Sequence, residues 1–404
     1  MILRPCKKLY NNETQRTTSP EETLARVEKA LPAAGITRVA DITNLDRLGI
    51  PVFSSIRPTA GRGAISVYNG KGATPTEARV SAIMEGIERY SAEVPPGTTL
   101  PLARYPDVAG DVPALDPADL ILPRGKDPRM TIPWIGGYDI LQEEEILVPA
   151  SAVFHPLPET YPQLFRTSTN GLASGNTLEE AVFHALMEVI ERDAWSLVEA
   201  SRDTGPRVTA IGDSLPASLL SRFASAQVEV HVRDITSDLG IPTFAAVSDD
   251  LQLRDPALLT IGMGTHTSAR IALLRALTEV AQSRLTQIHG AREDTDTADL
   301  RRRAGYERVR RMNAYWFDGK SEEPFDQIPS FDTDDFLSDI RIALDRIRRA
   351  GMERVIVVDL TRPEIGVPVV RVIVPGLEVY AMDPQRAGGR CRDARNRRFS
   401  RSQL

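Results

Sequence analysis

Ala78–Arg89 reads A-R-V-S-A-I-M-E-G-I-E-R, and Ala181–Arg192 reads A-V-F-H-A-L-M-E-V-I-E-R; seven of the twelve positions are identical. A looser third copy, Ala272–Ser283, reads A-L-L-R-A-L-T-E-V-A-Q-S, with Arg284 one place later. Thr74, Thr177 and Ser268 each stand four residues before the first alanine of a copy, where a helix N-cap belongs. In the first two copies Glu77 and Glu180 follow the cap by three residues, the pattern of a capping box. The spacing predicts helices over 75–93, 178–199 and 269–289.

Projection of the first copy at about 100° per residue separates three faces. Val80, Ile83, Met84, Ile87 and Tyr90 form an apolar face. Ala78, Ala82 and Arg89 form a mostly small face suited to close helix packing. Glu77, Ser81, Glu85 and Glu88 lie between them, within roughly 80° of arc. The second copy places Glu180, His184, Glu188 and Glu191 on the same edge, and the third Ile271, Arg275, Glu279 and Gln282. Two such helices face to face bring several carboxylates together, which raises their pKa values. A divalent cation resolves that conflict. Oxygen ligands without a Cys or His cluster point to Mg²⁺ or Mn²⁺. Arg89, Arg192 and Arg284 are candidate counter-charges or phosphate grips.

Small, turn-forming residues run into each helix: Asn69-Gly70-Lys71-Gly72, 168–175 (S-T-N-G-L-A-S-G) and Gly262-Met263-Gly264-Thr265-His266. Such turns at helix N-termini make plausible anion cradles. Neither a Walker A motif nor a dinucleotide GxGxxG occurs there. Ser19-Pro20 with Glu22 starts a helix running to about residue 30. Short strand-like runs occupy 50–54, 64–68, 228–232, 243–247 and 258–262, and short strands and loops are expected over 95–165. Beyond 295 the chain is charged and reads as connecting or surface structure to 335. A helix over 336–350, capped by Gly351, then leads to strands at 355–360 and 367–374 in one sheet. The tail from Arg386 holds seven arginines against one aspartate and reads as solvated or as a dock for an acidic partner.

The chain has 404 residues, 42% hydrophobic and 26% charged, with net charge −6, which disfavours nucleic acid as a partner. No apolar run reaches about 18 residues, so no membrane span is expected. The N-terminus carries no apolar signal segment, and two cysteines, Cys6 and Cys391, fit a reducing cytoplasm. The five histidines are scattered and neither cysteine neighbours one, so a Cys–His nucleophile is not indicated.

These residues resemble the YcaO family. The resemblance is carried by Ser81-x-x-x-Glu85-x-x-Glu88-Arg89, by Asn170-Gly171-x-Ala173-x-Gly175 through Glu180, Glu188, Glu191 and Arg192, and by Glu279-x-x-Gln282-x-Arg284. The segment Ala291-Arg292-Glu293-Asp294 fits as well. The opening 16–23 and the stretch 369–386 resemble the methanogen-type branch. The resemblance implies an α+β fold with mixed and antiparallel sheets, in which three repeat-related helices form an ATP site unlike a P-loop. It implies an N-terminal segment (1–60), an ATP-binding catalytic core (61–295) and a C-terminal α/β region with a basic tail (296–404). Glu85, Glu88, Glu180, Glu188 and Glu191 would hold Mg²⁺. Ser81, Arg89, Asn170, His184, Arg192, Gln282 and Arg284, with Lys8 and Arg16, would contact ATP.

The family uses ATP to activate a peptide backbone amide and needs no side-chain nucleophile. Azoline-forming members typically end in a P-x-P tail, whereas this sequence ends Arg401-Ser402-Gln403-Leu404. The methanogen-type resemblance therefore implies thioamide formation from sulfide at a glycine of the methyl-coenzyme M reductase alpha subunit. It also implies a TfuA-like partner and a homodimer. Azoline or amidine formation, or a non-catalytic nucleotide-binding module, are the alternatives.

Overall fold

The structure is a computed structural model, and the described residues are 1–110, 112–293, 297–319 and 321–401. Asp294 of the segment read after the third helix, and Ser402–Leu404, lie outside the described residues. In chain order the principal elements are α1 (Pro20–Val27), β1 (Arg38–Asp41), β2 (Val52–Ile56), β3 (Val67–Lys71), α2 (Pro75–Ser91), β4 (Ile132–Asp139), β5 (Glu144–Pro149), β6 (Leu172–Ser174) and α3 (Leu178–Ser201). There follow β7 (Arg207–Thr209), α4 (Ser214–Ser225), β8 (Val228–Asp234), β9 (Thr243–Asp250), β10 (Ile261–Thr265), α5 (Ala269–His289), β11 (Glu322–Pro324), α6 (Phe336–Arg349), β12 (Ile356–Asp359), β13 (Val369–Ile373) and α7 (Gly389–Arg401). No described helix is long and apolar enough to cross a membrane.

Each copy of the repeated phrase is the helix of a strand–turn–helix unit, and each unit starts from a different sheet. The strand β3 edges the sheet β1-β2-β3 and leads into α2. Strand β6 edges a six-stranded sheet and leads into α3; β10 edges a five-stranded sheet and leads into α5. The α+β expectation with mixed and antiparallel sheets holds. Among the described residues the named strands pair antiparallel except where β7 meets β11, which run parallel.

The small face of each helix packs on a strand, not on another helix as the alanine pattern suggested. A Cβ on Gly70 would lie 1.9 Å from the Ala82 nitrogen, and one on Gly264 would lie 2.0 Å from the Ala272 carbonyl oxygen. Glycine in the strand and alanine on the helix together let the two backbones touch. The apolar face of α2 does enter the core, with Ile83, Met84 and Ile87 buried and Val80 and Tyr90 packed beside them. Gly70→Ala is therefore expected to lower stability by about 1–3 kcal/mol or more, as overpacking does in a close-packed site. Urea denaturation followed by circular dichroism measures it, and an unchanged midpoint would mean that β3 and α2 are less closely apposed.

The caps differ in an instructive way. In α2 the box is complete: Thr74 accepts from the Glu77 amide, and Glu77 accepts from the Thr74 and Ala73 amides at 3.2 and 3.0 Å. In α3 Thr177 caps the Glu180 amide, but the Glu180 carboxylate turns to Thr17 instead of closing the expected box. Ser268 makes no side-chain cap bond; Ser330 Oγ accepts from the Ala269 amide in its place.

Further sequence expectations are corrected. The expected boundary at 296 divides strands of the same sheets: β12 and β13 lie between β4 and β6, and β11 pairs with β7. The start of the tail, from Arg386 to Cys391, is docked and not solvated, while Arg392, Asp393, Asn396 and Arg397 are exposed. Arg386 donates to the Leu120 and Ile121 carbonyls, and Arg390 pairs with the buried Asp193 at 2.8 Å. The fully buried Glu378 accepts from the Gly388 and Cys391 amides, fastening the start of α7 beside α3. Residues 258–262 also shift. Asp255 caps a helical turn at Pro256–Leu258, which delays the strand to Ile261–Thr265.

Candidate active site

The carboxylate edges of the three repeat helices converge on one cavity of about 640 Å³. Glu77, Ser81, Glu85 and Glu88 of α2 line it, as do Glu180, His184, Glu188 and Glu191 of α3. From α5 come Arg275, Glu279 and Gln282, while Ile271 turns into the core. The helical projection thus places eleven of the twelve edge positions on one wall. Arg89 and Arg192 line it too, and the N-terminal segment adds Arg16.

Electrostatics inside the cavity follow from burial and pairing. Glu85 pairs with Arg89 at 2.9 Å, and Glu188 sits 3.8 Å from Arg192, each one turn along its own helix. Glu88 Oε1 accepts from the Ser174 amide and hydroxyl at 2.9 and 2.7 Å. Burial still pushes Glu88 up to about 7, with Arg89 opposing the shift. Burial, and then the neighbouring Glu279, pushes Glu191 up to about 7. Burial also raises Glu188. For Glu279 burial acts upward, but Lys71 and Arg192 outweigh it and hold this carboxyl below its ordinary value. His184 is driven well below its ordinary value, by burial first and then by Arg16, with which it is in contact, so it is neutral.

Glu180 Oε2 accepts from the Thr17 amide and hydroxyl at 2.9 and 2.8 Å; Oε1 is left facing Arg16 at 3.8 Å and Asn176. Ser81 Oγ accepts from the Lys71 amide, and Gln282 donates to the Asn69 carbonyl.

Three expected ATP contacts do not line the cavity. Arg284 is fully buried behind α5, bonded to Asp46 at 2.8 and 3.1 Å and to Asp250 at 3.0 Å. The place in the repeat that Arg89 and Arg192 hold belongs to Ser283; one further residue rotates Arg284 by about 100°, off the cavity edge. Lys8 is buried against Asp339 at 2.6 Å and Gln15 at 2.6 Å, in the N-terminal segment that also carries Arg16. Asn170 is held by its carbonyl to Arg371, one residue beyond the cavity-lining Thr169. Residues outside the expected set line the wall as well, Lys71, Arg275 and Glu279 among them. The edge projection already marks Arg275 and Glu279. No sequence signal marks Lys71 beyond its place in a glycine turn.

Among the described residues no three His, Cys, Asp or Glu side chains form a ready-made metal cage. The donor set nevertheless fits a hard cation that keeps waters and takes phosphate oxygens as further ligands. Glu191 Oε2 and Glu77 Oε1 are buried with no partner, so each has an acceptor to give. The protons held by Glu88 and Glu191 must leave when a cation arrives. Mg²⁺ binding is therefore expected to release protons below about pH 7 and to tighten as pH rises through that value. Titration calorimetry in buffers of different ionisation enthalpy measures it; heats independent of buffer at pH 6 would contradict it. The linked stability has a defined sign. Both groups bind protons more tightly when folded, so the metal-free protein loses their contribution as pH rises from the ordinary carboxylate range to about 7.

Comparison with known proteins shows the family. The family model described as "YcaO cyclodehydratase, ATP- and Mg²⁺-binding" matches residues 69–378. The chain is 53% identical over 382 residues to an uncharacterized protein of Methanothermobacter thermautotrophicus, covering 93% of this chain and 98% of the relative. It is 36% identical to a Rhizobium leguminosarum bv. trifolii protein described as "Uncharacterized protein in tfuA 3′ region", covering 90% and 89% respectively. Among solved structures it resembles the YcaO of Methanopyrus kandleri bound with AMPPCP and Mg²⁺. The TM-score is 0.80 at 30% identity, covering 95% of this chain and 98% of that one.

Proposed function

The chain belongs to the YcaO family of ATP- and Mg²⁺-binding proteins, and from that premise we propose that it is an ATP-dependent enzyme that converts a peptide backbone amide to a thioamide. The substrate in this reading is a glycine of the methyl-coenzyme M reductase alpha subunit, and sulfide supplies the sulfur. The amide oxygen attacks the γ-phosphorus of ATP and ADP leaves. Sulfide then adds to the activated carbon, and the oxygen departs as phosphate.

The observation that carries the reading is the composition of the cavity. Carboxylates from the three repeat helices meet guanidinium groups from the same helices and from the N-terminal segment, and neither Cys6 nor Cys391 is among the lining residues. Phosphoryl transfer needs this positioning and charge stabilisation more than a protein nucleophile. Glu85, Glu88, Glu188 and Glu191, with Glu180 through Oε1, would hold Mg²⁺. When bound, that ion would supply positive charge to offset the charge of the phosphates. Arg89, Arg192, Arg16 and Arg275 supply positive charge for the phosphates, each fork suited to paired oxygens. Ser81, Gln282 and neutral His184 offer hydrogen bonds along the same wall.

The relative from a methanogen supports the choice of branch, and the relative described by its place beside tfuA supports a TfuA-like partner. A homodimer in the cytoplasm belongs to the same reading. The family description favours a second one, cyclodehydration to an azoline or amidine. Mass spectrometry of a glycine-containing peptide incubated with protein, ATP, Mg²⁺ and sulfide separates them. A gain equal to sulfur minus oxygen is expected. Loss of one water would replace the thioamide reading with cyclodehydration, and an unmodified peptide with no ADP formed would contradict both.

A further inference from the structure

Glu85 and Glu188 each have an arginine four residues on, but Glu279, their counterpart in the third copy, has Ser283 there. Its counter-charge comes from another element. Lys71, the last residue of β3, reaches across to Glu279 Oε2 in a direct ion pair, while Glu279 Oε1 accepts from the Met263 amide at 3.3 Å. Beside this pair Glu191 is 2% exposed and its Oε2 has no partner. Lys71 thus joins the turn before the first repeat helix to the carboxylates of the other two, inside the cavity.

The choice of lysine is informative. The chain has six lysines among its 49 basic residues, and the other basic groups on the cavity wall are arginines. An arginine fork holds a carboxylate in a fixed planar geometry. An ammonium is a compact charge on a flexible stem with freely rotating donors, so it can leave one acceptor and take another at little geometric cost. Its backbone is fixed by β-pairing with Val52, so only the side chain has to move.

We propose that Lys71 is an exchangeable counter-ion: it neutralises the Glu191–Glu279 carboxylates in the free enzyme and is displaced from them when a divalent cation binds. This inference rests on the Mg²⁺ and ATP reading of the cavity. It gives the third repeat a role in preparing the site, because Glu279 lacks the arginine that pairs with Glu85 and Glu188 one turn along their own helices.

Thermal denaturation of Lys71→Met and wild type, each without metal, with Mg²⁺ and with Mg²⁺ plus AMPPCP, is the test. K71M is expected to melt lower than wild type without metal and to regain most of that difference with Mg²⁺. Titration calorimetry is then expected to give roughly tenfold tighter Mg²⁺ binding by K71M, the scale on which neighbours of ligands tune metal affinity. The same deficit with and without Mg²⁺ would make Lys71 a fixed structural partner and overturn the proposal. No effect of Mg²⁺ on wild type would instead remove the metal reading on which it rests. Should K71M fail to fold, ¹³C-dimethylated lysine signals of wild type provide the readout, with Lys71→Arg identifying the resonance. A shift of that signal on adding Mg²⁺ supports displacement, and an unmoved signal contradicts it.

Discussion

Glu191→Gln is expected to reduce peptide-dependent ATP hydrolysis and peptide modification by about a thousandfold, the upper range for losing one charge-stabilising group in phosphoryl or acyl transfer. The substitution is nearly isosteric, and it replaces a carboxyl that burial and Glu279 already hold up to about 7. Because the altered oxygen has no partner to lose, the fold should not suffer. The metal-free variant should melt at or above the wild-type temperature, since a buried charge beside another has been removed. Loss of ADP release with an undiminished melting point would mark Glu191 as part of the site. Near-wild-type turnover would take it out of the site, and a large drop in melting point would make it structural.

Arg284→Met is expected to do the reverse, destabilising the fold by about 3–5 kcal/mol because removing one partner strands buried charges. Arg284 is fully buried, as is the Asp250 it serves, and Asp46 takes two hydrogen bonds from it. Asp250 keeps a second partner in Arg47 at 2.7 Å, so the loss falls mainly on Asp46. Urea denaturation measures the loss, and calorimetric titration of the folded variant with Mg²⁺ and AMPPCP measures the site. Stability reduced with nucleotide affinity unchanged is the expected pair of results. Stability intact with affinity lost would restore Arg284 to the role that its place in the motif suggested.

The contrast between these two residues explains which parts of the site were legible. Glu191 and its edge-mates could be read because a helix fixes direction locally: at about 100° per residue, sequence spacing is spatial angle. The same rule, with the third copy's Glu279 in register, already points to Arg275 and Glu279 as wall residues. It also excludes Arg284, which has the order of the motif but lies one step out of register with Arg89 and Arg192. Lys8 failed differently. Its partner, Asp339, is 331 residues away, and nothing local announces so distant an ion pair. Docking of α7 against Asp193 was hidden in the same way: an arginine-rich tail looks solvated until a buried acid is found opposite it.

The sequence by itself therefore determined the three helices, two of their caps, the faces they bury and the carboxylate edge they share. Local physics is sufficient for each of these: periodicity, capping and the absence of proline beyond the first turn. Tertiary structure alone decided that each helix lies on its own strand in a separate sheet, and that the strands after 355 complete a sheet begun before 140. It also decided which cations the cavity uses, sending Lys71 in and Arg284 away. Those outcomes depend on pairing between segments far apart in the chain, where buried charges and close backbone contacts must be satisfied together. No local spacing rule encodes them.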